Sequence, residues 1–283
     1  MSGTLFVLAT PIGNLEDITH RAVRVLGEVD LIACEDTRHT RKLLHHYGIG
    51  TPTISYHEHN ERERAVELLA KLRAGLNLAL VSDAGTPAIS DPGLRLVRLS
   101  IDGGVKVVSV PGPSALVTAL VASGLATDAF FFGGFLPPRS AARRARLAEL
   151  ASVPATLVFY EAPHRLAASL RDAHEVLGER QAALARELTK LHEEIIRDRL
   201  GALAERFKTT AARGEFVLLI DREAIKDERG SDQAETSVAA IVSMIEAQGL
   251  DHRAALKRAA QQLGLTRAEA YRRLVIEKER KDR

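Results

Sequence analysis

Val81-Ser-Asp-Ala-Gly-Thr-Pro-Ala-Ile-Ser-Asp-Pro-Gly93 decides how the rest of the chain is read. A short apolar run, residues 76–81, precedes it and has the character of a buried strand. Residues 94–101 follow with helical spacing. The loop therefore lies at the carboxyl end of a strand, where open α/β sheets bind ligands. Two glycines and two prolines shape its backbone, and Asp83 and Asp91 set two carboxylates on that frame. Carboxylates on a tight backbone suit a ligand with hydroxyls or a cation, not a phosphate. A plain strand-to-helix turn with Asp in capping roles is the alternative. So many turn formers over thirteen residues favour a ligand loop.

Working outward, strand and helix alternate with short connections. Residues 5–9 read as a first strand closed by Thr10-Pro-Ile-Gly-Asn14, and residues 18–26 as a helix stopped at Gly27. Residues 31–34 are a second strand ending in Glu35-Asp36-Thr37-Arg38. Thr37 is placed as the cap of the next helix, which Gly48 ends. Residues 53–57 form a third strand, and Asn60 with Glu63 reads as a capping pair for a helix reaching residue 74. After the central loop and its helix comes a strand at 105–110. It ends in Pro111-Gly-Pro-Ser114, with Ser114 capping a helix over 115–123. This alternation predicts an α/β fold with a parallel, doubly wound sheet.

Beyond Gly124 the character changes. Phe130-Phe-Phe132 is broken by Gly133-Gly134, then come Pro137-Pro-Arg139 and an Arg-rich run, Arg143, Arg144 and Arg146. Strands are expected at 156–161, 182–185 and 216–220. The first two end in Glu161-Ala-Pro-His-Arg165 and Arg186-Glu-Leu-Thr-Lys190. Polar residues 226–235 read as a linker, with three helical stretches beyond it. Thr266-Arg-Ala-Glu269 is a capping box opening the last, basic one, in a helix-turn-helix pattern. The domain reading is an N-terminal α/β domain over 1–122, a C-terminal α/β domain over 123–225 and a small helix-turn-helix-like module over 235–283.

Composition limits the function classes. Among 283 residues, 46% are apolar, yet no run approaches membrane-spanning length and no segment reads as a signal peptide. Cys34 is the only cysteine, so an intrachain disulfide is impossible and a cytoplasmic home is expected. Net charge is +2, but residues 253–283 hold ten Lys/Arg against four Asp/Glu, which leaves the rest of the chain about −4. A basic tail on a near-neutral body suggests a nucleic-acid partner. No G-x-G-x-x-G or G-x-x-x-x-G-K-[ST] supports a nicotinamide or P-loop reading. His39, His45, His46, His57 and His59 cluster, and a zinc site would want ligands at turn or helical spacing with carboxylate or thiolate partners; surface or substrate-facing histidines are the favoured reading, so no metal is expected.

All four loops of the first half follow strands and should meet along one sheet edge. If the strand-end loops of the second half face them, a ligand cleft forms between the two. Ala9-Thr-Pro-Ile-Gly-Asn-Leu15, Ala33-Cys-Glu-Asp-Thr-Arg38, the central loop, Val110-Pro-Gly-Pro-Ser114, Gly134-Phe-Leu-Pro137 and Phe159-Tyr-Glu-Ala-Pro-His-Arg165 follow in an order and spacing with a counterpart. They resemble the tetrapyrrole-methylase superfamily, in particular its members that methylate small-subunit ribosomal RNA. The match runs from about residue 5 to residue 220, and the C-terminal helices also look similar. The resemblance implies S-adenosylmethionine as methyl donor, held between two α/β domains. It implies a cytidine 2′-hydroxyl in the decoding region of 16S rRNA as acceptor, within the 30S subunit, and a homodimer. Carried over by motif, Leu8, Asp83, Thr86, Ser114, Ala115, Tyr160 and Ala185 are the expected cofactor contacts. Methylating a weakly acidic ribose hydroxyl calls for a base, or for a cation that stabilises the forming alkoxide. Strand-end candidates are Glu35, Asp36, Arg38, Glu161, His164, Arg165 and Lys190, and the sequence does not choose among them. Two other classes are weighed. The four strand-end loops argue against a non-catalytic nucleic-acid-binding protein. The basic tail and the arginines of 139–146 argue against a methyltransferase of a tetrapyrrole or other small molecule.

Overall fold

The computed structural model describes residues 2–222, 237–247 and 249–281, the side chains of 276 and 278–281 excepted. It divides into two compact units, residues 1–223 and 224–283. The 226–235 linker reading lies outside the described residues.

The first unit holds two five-stranded sheets. In the first, β1 (Thr4–Leu8), β2 (Leu31–Cys34), β3 (Thr53–Ser55), β4 (Leu78–Val81) and β5 (Lys106–Val110) run parallel in the order β3-β2-β4-β1-β5. Successive residues serve opposite faces, as the strand period requires. Leu8, Ala79 and Val81 pack with Ala22, Val25 and Leu26 of α1 (His20–Glu28) and Leu44 of α2 (Thr37–His46). Leu5, Leu78 and Leu80 pack with Leu68 and Leu72 of α3 (Glu61–Arg73) and Leu96 of α4 (Leu94–Asp102). Both faces are covered, which is why these strands read as continuous apolar runs.

The second sheet has the order β6-β7-β10-β8-β9, from β6 (Phe130–Phe135), β7 (Thr156–Glu161), β8 (Gln181–Arg186), β9 (Glu194–Arg199) and β10 (Phe216–Ile220). Only β6 and β7 are parallel, and β10 runs against both its neighbours. One face is covered by α6 (Ser140–Leu150), α7 (Pro163–Leu177) and α8 (Leu200–Thr209). The other is covered by α5 (Ala115–Ser123), which leaves the first sheet and places Ala119 and Leu120 against Val158, Ala183 and Leu219. Strand β9 escapes a reading by apolar pattern because Glu194, Arg197, Asp198 and Arg199 make it a charged edge.

Several caps differ from the sequence reading. Asp36, not Thr37, caps α2, its carboxylate accepting from the Arg38 N–H at 2.8 Å. The Asn60 side chain accepts from the His57 N–H instead of capping α3. Gly27 lies inside α1, whose cap is Thr19. Ser114 precedes α5 without a capping bond from its hydroxyl. The arginine run is not a free cationic surface. Arg143 is buried against Asp172 at 2.8 Å, while Arg144 and Arg146 pair with Glu175 and Glu149.

In the second unit, α9 (Val238–Glu246), α10 (His252–Gln262) and α11 (Arg267–Lys281) bury Val238, Val242, Ile245, Leu256, Ala259 and Leu274 on one another. The Thr266–Glu269 capping box forms, with reciprocal bonds of 3.0 and 3.3 Å. Among the described residues no helix is long and apolar enough to cross a membrane.

Removing the carboxylate beside Arg143 leaves a buried guanidinium uncompensated. Asp172→Ala should therefore destabilise the first unit by about 3–5 kcal/mol, read from the urea midpoint with an unchanged slope.

Candidate active site

Parallel order brings the carboxyl ends of β1, β2, β4 and β5 to one edge of the first sheet. Two loops there are joined by backbone. The Thr10 N–H donates to the Gly85 carbonyl at 2.9 Å and the Gly85 N–H to the Thr10 carbonyl at 3.0 Å. The Thr10 hydroxyl adds a 3.1 Å bond to the Ser82 carbonyl. Gly85 has φ +78°, a conformation in which a side chain is strained. Ala88 and Ser90 adopt the same left-handed region at φ 67° and 63° without being glycine. Non-glycine residues there cost of order 1–3 kcal/mol each and gather at ligand-binding turns. The Asp36 N–H donates to Asp83 Oδ1 at 3.0 Å, tying the loop after β2 to the loop after β4.

The second sheet meets this edge with the carboxyl ends of β6, β7 and β8 and the amino end of β10. The loop after β8 sits against the loop after β1. A Cβ on Gly13 would stand 2.5 Å from Lys190 Cγ and 2.9 Å from the Leu188 carbonyl oxygen. Glu187 and Thr189 in that loop are also left-handed, at φ 50° and 64°.

Between the edges lies a cleft of about 310 Å³. From the first sheet come Ile12, residues 84–86 and 89–91, and the pair Ser114 and Ala115. From the second come Phe135, residues 160–163, Leu188 and residues 215–217. Tyr160 stacks edge-on to Phe132 and Phe135 at 4.9 and 5.7 Å.

The acidic side of the site is strained electrostatically. Burial, and then the charges of Glu35 and Asp83, push the Asp91 carboxyl up to about 6, with a Ser82 hydrogen bond opposing. Burial and Asp83 raise the Glu35 carboxyl. Asp36 goes the other way, since hydrogen bonds from Arg38 hold it well below the carboxylate range. Burial raises the Tyr160 phenol.

Of the expected cofactor contacts, Thr86, Ser114, Ala115 and Tyr160 line the cleft together. Asp83 stands behind it as the brace to Asp36, and the side chains of Leu8 and Ala185 are fully buried in the cores beneath the first sheet and α5. Of the strand-end candidates, only Glu161 lines the cleft. Its oxygens already accept from the Ala162 N–H, Arg165 Nε and Ser169. Asp36 is committed to Arg38, which is largely exposed. Lys190 is bonded to Glu187 and Glu215, and His164 is exposed at the start of α7. Glu35 lies within the acidic group. The strand-end reading passed over Phe135, Glu215, Val217 and the role of Asp91 at the rim. Among the described residues, no group of three or more His, Cys, Asp or Glu is placed to hold a metal ion.

Two sheet edges closing on a cleft define a class. The same fold is seen in uroporphyrin-III C-methyl transferase from Thermus thermophilus complexed with S-adenyl homocysteine. It matches at TM-score 0.55 and 22% identity over 77% of this chain and 96% of that one. The family model for tetrapyrrole (corrin/porphyrin) methylases matches residues 4–204. Ribosomal RNA small subunit methyltransferase I of Synechocystis sp. is 48% identical over 276 residues, 95% of this chain and 96% of the relative. The protein of that name in Pseudomonas aeruginosa is 54% identical over 225 residues, 77% of this chain and 79% of the relative. The chain belongs to the tetrapyrrole (corrin/porphyrin) methylase family and, within it, to the ribosomal RNA small subunit methyltransferase I group.

The raised Asp91 carboxyl has a consequence for stability. The folded protein holds that proton more tightly than the unfolded chain. The stability from this group is full below the unfolded value near 3.8 and is lost as pH rises through about 6. Asp91→Asn, which never ionises, should raise the Tm at pH 7.5 and leave it nearly unchanged at pH 4, as calorimetry at the two pH values will read.

Proposed function

We propose that the chain uses S-adenosylmethionine to methylate 16S rRNA, at the ribose 2′-oxygen of a cytidine in the decoding region. The observation that carries this reading is 48% identity over nearly the whole length of a ribosomal RNA small subunit methyltransferase I, in a chain whose sheets frame a cleft of cofactor size.

The cleft residues fit such a donor. Ile12, Ile89, Phe135, Leu188 and Val217 supply an apolar wall for a flat adenine ring. The Ser114 hydroxyl makes no capping bond to α5 and suits a polar substituent. The Asp91 carboxylate at the rim suits a cation. Bound there, S-adenosylmethionine supplies an electrophilic sulfonium methyl. The chain's own part is to exclude water, to align the acceptor oxygen and to take up its proton.

The second unit supports RNA as the acceptor. Arg253, Lys257, Arg258, Arg267, Arg272 and Arg273 are all exposed on it, a cationic surface suited to phosphates. The paired arginines of α6 lend the reading no such support. We further place the protein in the cytoplasm, acting on the 30S subunit as a homodimer. Val117 and Val121 of α5, 50% and 74% exposed, are apolar surface that a second copy would cover.

Incubation with labelled donor and, in parallel, 16S rRNA, 30S particles and a porphyrinoid should label only RNA, with 2′-O-methylcytidine recovered on digestion. Labelled porphyrinoid, or a methyl group on a base, would refute the assignment. The triple change Arg267→Ala, Arg272→Ala, Arg273→Ala should weaken RNA binding and make its salt dependence shallower, with donor affinity intact by calorimetry.

A further inference from the structure

A second groove, about 560 Å³, opens beside the cleft. It is lined by Glu58, Glu61, residues 90–93 and Leu94, Arg95, Arg98 and Leu99 of α4. Ser90 and Asp91 line both cavities, and Asp91 is the charged member of that pair. Arg95 is held by Glu61 at 3.5 Å. Arg98 is exposed and has no ion pair among the described residues.

We infer that this groove receives the ribose-phosphate backbone of the acceptor strand, with Arg98 against a phosphate, and that Asp91 is the catalytic base for the ribose hydroxyl. The inference rests on the functional reading above and deepens it by assigning the acceptor's path and the group that takes its proton. The ribose oxygen forms its bond to the methyl carbon as the carbon–sulfur bond breaks. The broken bond's electron pair stays on sulfur, and the hydroxyl proton passes to the Asp91 carboxylate and then to water.

The other carboxylates near the two cavities are placed for different work. Glu161 has its oxygens filled, Glu215 is held by Lys190 at 2.7 Å and Glu61 by Arg95. Glu58 lines the groove but not the cleft, and Glu35 lines neither. Asp91 alone of these stands where an acceptor in the groove meets a methyl group in the cleft. Ser90, left-handed at φ 63°, turns the chain just before it.

The groups around Asp91 also set its basicity. Glu35 from the loop after β2 and Asp83 from its own loop are like charges, and Ser82 donates a hydrogen bond. Tyr160 faces it from the second sheet, and Glu58, Glu61, Arg95 and Arg98 share the groove. The balance keeps Asp91 ionised at pH 7.5 yet more basic than a surface carboxylate. Donor charge in the cleft lowers its pKa, so the acid limb of the rate profile should fall at or below about 6.

The test is single-turnover methylation of 30S particles by full-length protein across pH 5–9, with donor affinity measured by calorimetry. Asp91→Asn should lower the rate at saturating donor by about 10²–10⁴-fold, abolish the acid limb and weaken donor binding far less than it lowers the rate. Asp91→Glu should restore part of the rate and the limb. Arg98→Ala should raise the 30S concentration for half-maximal rate and reduce the salt slope by about 0.7–0.9. An Asp91→Asn protein with the wild-type rate, or one whose rate loss is matched by lost donor affinity, overturns the base assignment. Unchanged affinity and slope for Arg98→Ala overturn the groove assignment. Wild-type protein that labels no 16S rRNA overturns the functional reading itself, and the inference with it.

Discussion

Helix α5 begins at the edge of one sheet and is buried on the face of the other. Its Ala119 and Leu120 are covered by Val158, Ala183 and Leu219, and Ile12 and Leu188 join the same cluster. Burying a leucine-sized side chain stabilises by about 1.5–3 kcal/mol, and here each such contact also fixes the distance between the sheets. Ser114 and Ala115 stand at the cleft because the rest of their helix is anchored on the opposite wall. The cleft is thus a consequence of core packing more than of loop conformation. Looser packing under α5 would shift every cleft residue of one side relative to the other.

The backbone pair between Thr10 and Gly85 does for the loops what α5 does for the sheets. It holds the central loop at its first turn, so the left-handed residues Ala88 and Ser90 are carried by a fixed frame. Asp83, on the far side of that turn, accepts from the Asp36 backbone and adds charge next to Glu35 and Asp91. Gathering three carboxylates opposes folding electrostatically. The same gathering makes Asp91 basic where a donor of methyl groups and an acceptor hydroxyl would meet.

Much of this was legible in the sequence. The alternation of apolar runs with capped helices specified the parallel sheet, because strands covered on both faces carry a strong, unbroken signal. The strand-end rule brought the loops that hold Thr86 and Ser114 to one edge, and the family resemblance named Thr86, Ser114, Ala115 and Tyr160, which line the cleft together. The rule failed for Glu215 and Val217 because β10 runs antiparallel and brings its beginning, not its end, to that edge. It also proposed Glu161 and Lys190 as reactive groups. Their partners, Arg165 and Ser169 in one case and Glu187 and Glu215 in the other, are set by tertiary contacts that no local pattern announces. The arginines of α6 misled for the same reason, since Asp172 lies a helix away. Asp91 was visible as a carboxylate on the loop, but its shared position between two cavities required the fold.

The order of the strands bears on how the protein comes into being. The first sheet has β4 between β1 and β2, so it closes only after residue 81 has emerged from the ribosome. Its strand-end loops then wait for Tyr160, Leu188 and finally Val217 to supply the far wall. At roughly 5–20 residues per second, the interval from residue 115 to residue 217 is about 5–20 seconds. During that time α5, apolar along most of its length, has no sheet to cover it. A nascent chain in this window has half a cleft and, in α5, an apolar helix whose covering sheet is still incomplete.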